Sequence, residues 1–448
     1  MDTIHSESSS AHIFSMTPAT TTTKVQPENF ETEPEIGSKL TTNNSSVNTN
    51  RLNHVNLRSE ADIYKYLIRP QTLERSLLRE NKNQVAGHAG FSVMHNNPNN
   101  CLKPLIVQCL RGKRELFFYQ LLEFFKKNKY NTRINDSDSI NKLCYKQFKL
   151  LTTPANQCDC VIDSDVWREM SAFVASFQCV ICPTNNAQNS ESDVNVDDHQ
   201  IQEGSLDSIY LSDPKCVCYQ SGFGKKMSCQ RVDSEVHYLC LEDLTAHCAQ
   251  PCILDVKIGK ITYDPMSVKE KILEQSSKYD QSSNCGFHIL GMKIGSEMKN
   301  KQFCRGLETE RKIQSALELF FEPLTEISYK LATLNNIIQR LEYILNWFES
   351  RNIDQLKFFS SSLLIVYDSH VNSSTTTEHI SDAVRVSMID FAHVFHHHSN
   401  KKVEGQTNEK DDNFLYGLTR LTKLFTTIYH RLQGRHPHQP LPLHPPQV

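Results

Sequence analysis

Three short stretches of this chain carry residue types that can act together on a phosphorylated ligand. The first is Pro251-Cys-Ile-Leu-Asp-Val-Lys-Ile-Gly259. Read as a strand, it puts Cys252, Leu254, Val256 and Ile258 on one apolar face and Asp255 with Lys257 on the other. A carboxylate and an ammonium aimed the same way can hold a hydroxyl or a metal and neutralise phosphate charge. The plainer alternative is an amphipathic strand with a solvent-exposed ion pair.

The second stretch pairs Lys103, at the end of a strand-like run, with Glu115 on the helix that reads from Arg114 to Lys127. In phosphoryl-transfer sites a strand lysine grips nucleotide phosphates and a helix glutamate orients it; otherwise Lys103 merely ends a surface strand. The third is Met388-Ile-Asp-Phe391. A carboxylate after so apolar a run is costly unless paired or metal-bound, so Asp390 is a candidate metal ligand or a buried turn cap. His393 follows three residues later and is a candidate base, phosphate ligand or core histidine.

These stretches need strands and helices to position them. Leu116, Tyr119, Leu122 and Phe125 give the helix after Lys103 a buried face. Leu331, Leu334, Ile338, Leu341, Leu345 and Phe348 define a long helix, and Leu415 to Leu432 define another over 413–432. Residues 268–279 read as a helix after the first stretch, and 361–368 and 383–392 as two paired strands. Ile63, Tyr66, Leu67, Leu73 and Leu77 suggest a short helix within 60–80, broken by Pro70.

The spelling P-x-x-x-D-x-K-x-G, here Pro251, Asp255, Lys257 and Gly259, resembles the signature of the inositol polyphosphate kinase family. Further matches stand in order around it: Asn83-Gln-Val-Ala-Gly-His88, Leu102-Lys103, Arg111-Gly-Lys-Arg-Glu-Leu-Phe-Phe-Tyr119 and Tyr238-Leu-Cys-Leu-Glu-Asp-Leu-Thr245. On the other side are Tyr263-Asp-Pro265, Ser277-Lys-Tyr279, Leu290-Gly-Met292, Ser361-Ser-Leu-Leu364, Ile389-Asp-Phe-Ala-His393 and Tyr416-Gly-Leu418. The resemblance covers residues 83–126 and 236–432.

It implies an α+β, two-lobed kinase-like fold, with a small antiparallel-sheet N-lobe with helix and a larger α+β C-lobe. It implies ATP and magnesium, with Asp255, Lys257 and Asp390 catalytic and Asp390 holding the metal. Lys103, Glu115, Glu242, Leu244, Asp255 and Ser361 would contact the nucleotide, Glu242 and Leu244 at a hinge reading the adenine edge. Arg111, Lys257, Gln275, Lys278, Arg305 and His393 would line the inositol pocket. The implied reaction is in-line γ-phosphoryl transfer from ATP to hydroxyls of inositol trisphosphate and tetrakisphosphate. The alternatives are a hexakisphosphate kinase, a dedicated trisphosphate 3-kinase or a non-catalytic signalling scaffold. The chain departs from the family pattern in one extra residue between Lys103 and Arg111 and in Phe303-Cys-Arg-Gly-Leu307.

Composition sets the limits. A formal charge of −3 over 448 residues gives no global attraction to nucleic acid, so anion sites must be local. No apolar run is long enough for a transmembrane helix, and the first residues lack a secretion signal's basic and apolar regions. The fifteen cysteines then read as reduced thiols, and cytoplasm and nucleus are the expected locations. The expected organisation is a disordered 1–55, an N-lobe from 56 to 127, a largely loop insertion over 128–235 open to protein partners, a hinge strand over 236–250, a C-lobe over 251–433 and a disordered 434–448. Cys158, Cys160, Cys179, Cys182, Cys216, Cys218 and Cys229 raise a zinc alternative for the insertion, though their uneven spacing favours a surface loop. His396-His-His398 reads as loop rather than metal cluster, because adjacent side chains diverge.

Overall fold

The computed structural model describes residues 71–85, 92–94, 97–105, 110–128, 139–152, 162–184, 237–265, 267, 269–278, 285–353, 355–370, 383–396 and 410–434. The expectations for 1–55, for the acidic 185–198 loop, for five of the seven cysteines above and for the tail beyond Gly434 lie outside these residues.

In chain order the elements are β1 (Gln71–Glu74), β2 (Leu78–Glu80), β3 (Ser92–Met94), β4 (Asn97–Leu105), α1 (Leu110–Lys127), α2 (Ser139–Thr152), α3 (Ser164–Met170), β5 (Phe177–Thr184) and β6 (His237–Glu242). They continue with β7 (Pro251–Ile258), α4 (Lys269–Lys278), β8 (Phe287–Ile294), β9 (Glu297–Lys299), α5 (Lys301–Arg305), α6 (Glu310–Phe320) and α7 (Ile327–Ser350). Last come β10 (Leu356–Phe358), β11 (Ser362–Asp368), β12 (Arg385–Ile389), β13 (Val394–His396) and α8 (Asp412–Leu432).

Two sheets dominate. The first has six strands in the order β1-β5-β6-β4-β3-β2, the second five in the order β12-β11-β7-β8-β9, and β10 pairs with β13 apart from both. The second sheet is antiparallel throughout, with the signature strand β7 at its centre. The first is mixed rather than purely antiparallel, because β1 runs parallel to β5. Residues 71–80 form two short strands joined by a 3-10 turn, which corrects the helix expected there. Sheet pairing overrides a weak helical period over so short a stretch.

The largest correction concerns 128–235. Its described residues 139–152 and 162–184 depart from the expected loop and supply α2, α3 and β5, while the rest of the range lies outside the described residues. Phe148, Ile162, Val166, Trp167 and Met170 are almost fully buried in the main core. The cause lies in α1, whose Leu116, Phe117, Phe118, Tyr119, Leu121, Leu122, Phe124 and Phe125 are buried all round. A helix apolar on every side needs cover on every side. The first sheet covers one face; α2 and α3 cover the other, with Phe118 against Trp167 at 5.3 Å between ring centroids. The expected helix α1 is therefore joined by α2 and α3. Cys179 and Cys182 are strand residues of β5, and among the described residues no three potential ligands cluster as a metal site.

Helices α7 and α8 pack their expected apolar faces into the same core. Close approach requires glycine at 417: a Cβ there would stand 1.9 Å from the Gly286 carbonyl oxygen and 3.0 Å from the Gly259 amide. Gly259 itself has φ +112°, a conformation that glycine alone adopts without strain. Strand β7 can thus end sharply beneath α8.

Candidate active site

Strand register assembles the site. Ser362 pairs with Lys257 on one side and with Ile389 on the other, so the ends of β7, β11 and β12 lie in one row. Asp390 follows Ile389 at that end of the sheet. Cys252, Leu254, Val256 and Ile258 are fully buried, as the alternation requires. Asp255 is only 5% exposed, which excludes the surface ion pair.

Lys103 crosses from the first sheet to meet them. Its Nζ donates to Glu115 Oε1 at 2.5 Å and to Asp390 Oδ1 at 2.5 Å. Burial alone would lower the Lys103 pKa, yet the flanking Asp390 and Glu115 carboxylates hold it well above its ordinary value. Burial likewise favours a neutral Asp390, but Lys103, Lys257 and His393 prevail and hold that carboxyl low, as an anion. Its side chain is 38% exposed, open to a ligand.

Asp255 behaves oppositely. Burial and the neighbouring Asp390 charge push its pKa up to about 7, against the weaker opposing effects of Ser362, Lys257 and Lys103. Lys257 is lowered by burial, partly offset by Asp390 and Asp255. Its Nζ donates to Ser360 Oγ at 3.0 Å, and Ser360 Oγ donates to the Thr262 carbonyl at 2.9 Å. Facing Lys257 on β8 is His288, pushed down to about 3 by burial and by the Lys257 charge.

The turn carrying Asp390 is held in an unusual shape. Asp390 has φ +67°, a left-handed conformation that aspartate tolerates better than most residues. Ser361 Oγ donates to the Asp390 carbonyl at 2.8 Å, and the Phe391 amide donates to Glu115 Oε1 at 3.3 Å. Ser361 thus supports Asp390. His393 lies 16% exposed beside Asp390, its Nδ1 paired with the fully buried Asp264 carboxylate.

The other expected residues sit further out. Glu242 ends β6, its amide donating to the Ser176 carbonyl at 2.9 Å and its carboxylate accepting from the Ser176 amide at 3.2 Å. Leu244 follows in the next turn. Arg111 opens α1 one helical turn before Glu115, on the same face. Gln275 Oε1 accepts from Thr262 Oγ1 at 3.4 Å, which places it near the Ser360–Lys257 contact. Lys278 closes α4, and its side chain lies outside those described. Arg305 is exposed in α5, next to Cys304, whose thiol is raised by burial and then by the Asp255 charge.

Sequence reading missed Asp264, Ser360 and Arg114. Asp264 stands inside Tyr263-Asp-Pro265 and Ser360 beside the Ser361-Ser362 pair, so both lay within or next to quoted motifs. Their roles are tertiary: Asp264 meets a residue 129 positions away and Ser360 one 103 away.

The residues fit a divalent cation. The buried Asp255 Oδ1 has no hydrogen-bond partner, and the Asp390 charge raises the Asp255 pKa. Two adjacent carboxylates of this kind are what a cation relieves, and magnesium needs only one or two protein carboxylates when phosphates and water complete its shell.

Residues 238–426 match the family model described as inositol polyphosphate kinase. Inositol polyphosphate multikinase of Mus musculus is 39% identical over 145 residues, covering 31% of this chain and 35% of that protein. Inositol hexakisphosphate kinase 3 of Mus musculus is 28% identical over 231 residues, covering 47% of this chain and 56% of that protein. A crystal structure of inositol phosphate multikinase Ipk2 from S. cerevisiae, in complex with ADP and Mn2+, is 25% identical with a TM-score of 0.36, covering 43% of this chain and 84% of that one. The chain spans 35% of the length of the curated mouse multikinase it matches. The signature strand and Asp390 lie within the stretch that is similar to the inositol polyphosphate kinase family model, and the Lys103–Glu115 pair meets Asp390 at the same sheet end.

Proposed function

We propose that this chain is an ATP-dependent kinase of the multikinase type, phosphorylating inositol trisphosphate and tetrakisphosphate. The observation that carries the reading is the meeting of Lys103, Glu115 and Asp390 with Asp255 and Lys257 at one end of the second sheet. Asp390, with Asp255 beside it, would hold magnesium, which would supply positive charge against the nucleotide phosphates. Lys103, oriented by Glu115, grips the phosphates. The Glu242 carbonyl and Leu244 amide read the adenine edge. Lys257, positioned by Ser360, stabilises charge on the phosphoryl group in transit. Arg111, Gln275, Lys278 and Arg305 are the inositol-side contacts. His393, oriented by Asp264, holds the inositol or accepts a proton from the attacking hydroxyl.

The test is incubation with magnesium-ATP and a panel of inositol tris- to hexakisphosphates, followed by separation of products. Turnover of tris- and tetrakisphosphate is expected, abolished in folded Lys257→Ala and Asp390→Asn. The longer alignment with a hexakisphosphate kinase favours a second reading, in which only hexakisphosphate is consumed. No transfer to any inositol phosphate by folded protein overturns both.

A further inference from the structure

Arg114 is wholly buried, and two of its hydrogen bonds go to backbone carbonyls. Its Nη1 donates to the Ala392 carbonyl at 2.6 Å and its Nε to the Leu151 carbonyl at 3.2 Å. The guanidinium carbon lies 4.2 Å from the centre of the Phe395 ring. Taking a guanidinium out of water is costly, and an apolar side chain would fill the space without that cost. What an apolar side chain cannot do is grip two carbonyls at a fixed spacing, which the planar fork does.

Both carbonyls matter. Leu151 is in the last turn of α2, where helix carbonyls lack intrahelical partners. Ala392 lies two residues after Asp390, within the turn that starts at φ +67°. The backbone of each residue of that turn is tethered: the Asp390 carbonyl by Ser361, the Phe391 amide by Glu115, the Ala392 carbonyl by Arg114 and the His393 carbonyl by the Phe359 amide at 3.1 Å. Consecutive α1 residues, Arg114 and Glu115, hold consecutive residues of the turn.

We propose that Arg114 is a positioning residue: by tying the Ala392 carbonyl to α1 and to the end of α2, it holds the Asp390 carboxylate where a nucleotide-bound cation needs it. The inference rests on the nucleotide and cation reading above, and its test separates the two. Calorimetry compares ADP binding with Mn2+ and in EDTA, for wild type and for Arg114→Lys, which keeps the charge and loses the fork. Expected is a dissociation constant about 10-fold or more weaker for Arg114→Lys with Mn2+, at unchanged stoichiometry, and within about twofold of wild type in EDTA. Phe395→Leu, which removes the ring under the guanidinium and leaves both hydrogen bonds, should shift the Mn2+ value the same way by about 2–5-fold and serves if Arg114→Lys does not fold. Equal affinities in wild type and variant, or equal losses with and without Mn2+, overturn the positioning role alone. A wild-type protein whose ADP affinity ignores Mn2+ overturns the reading on which it rests.

Discussion

The raised Asp255 pKa has a consequence for stability that can be measured without any substrate. A carboxyl whose folded pKa exceeds its unfolded value binds its proton more tightly when folded. Stability contributed at this position therefore falls as pH rises from about 4 to about 7 and is level beyond. With a folded value of about 7 against an ordinary 3.8, the ionised Asp255 costs the fold up to about 4 kcal/mol above pH 7. Asp255→Asn keeps the shape and removes the titration. In EDTA, the variant should gain on wild type by roughly 2–3 kcal/mol between pH 5 and pH 8, with no further change at pH 9. Urea unfolding at each pH reads this directly. Adding magnesium and ADP at pH 8 should narrow the gap, because a cation offsets the burial and the Asp390 repulsion that raise the pKa. A stability difference that does not vary with pH refutes the reasoning, since it leaves Asp255 no proton to give up.

Other expectations test neighbouring links of the same chain of causes. Lys103→Met leaves Glu115 buried without its cation; unfolding should be easier by about 3 kcal/mol or more, and phosphoryl transfer slower by about 100-fold. Trp167→Ala, deep in the stretch that reads as an insertion, should cost about 3–5 kcal/mol by denaturant titration; a loss below about 1 kcal/mol contradicts a core role. Gly417→Ala drives a Cβ into the Gly286 carbonyl and should lower stability by about 1–3 kcal/mol, read as a fall in Tm.

Much of the site was legible because its chemistry is written locally. The alternation in β7 puts Asp255 and Lys257 together, and the apolar run before Asp390 marks it as a carboxylate needing a partner. That partner, Lys103, stands 287 positions away, so the pairing is a property of the fold and not of any window of sequence. The long helices α7 and α8 announced themselves by period, since each buries one stripe. Residues 139–184 did not, because polar stretches and clustered cysteines around them look like surface. The missing clue lay in α1: four apolar residues in succession from Leu116 to Tyr119 cannot all face one sheet. Arg114 was invisible for a different reason. A charged residue at a helix start reads as solvated, and only the convergence of Leu151, Ala392 and Phe395 shows that it is not.

The central claim, that of the proposed function, is that Asp390 and the lysines of two sheets meet where a nucleotide would bind with its cation. Crystals grown with Mn2+ and ADP test it most directly, through the anomalous signal of the metal. The account predicts a manganese peak at coordinating distance from the Asp390 carboxylate, with the ADP phosphates beside Lys103. A peak elsewhere, with Asp390 still paired to Lys103 and no nucleotide between the sheets, contradicts it.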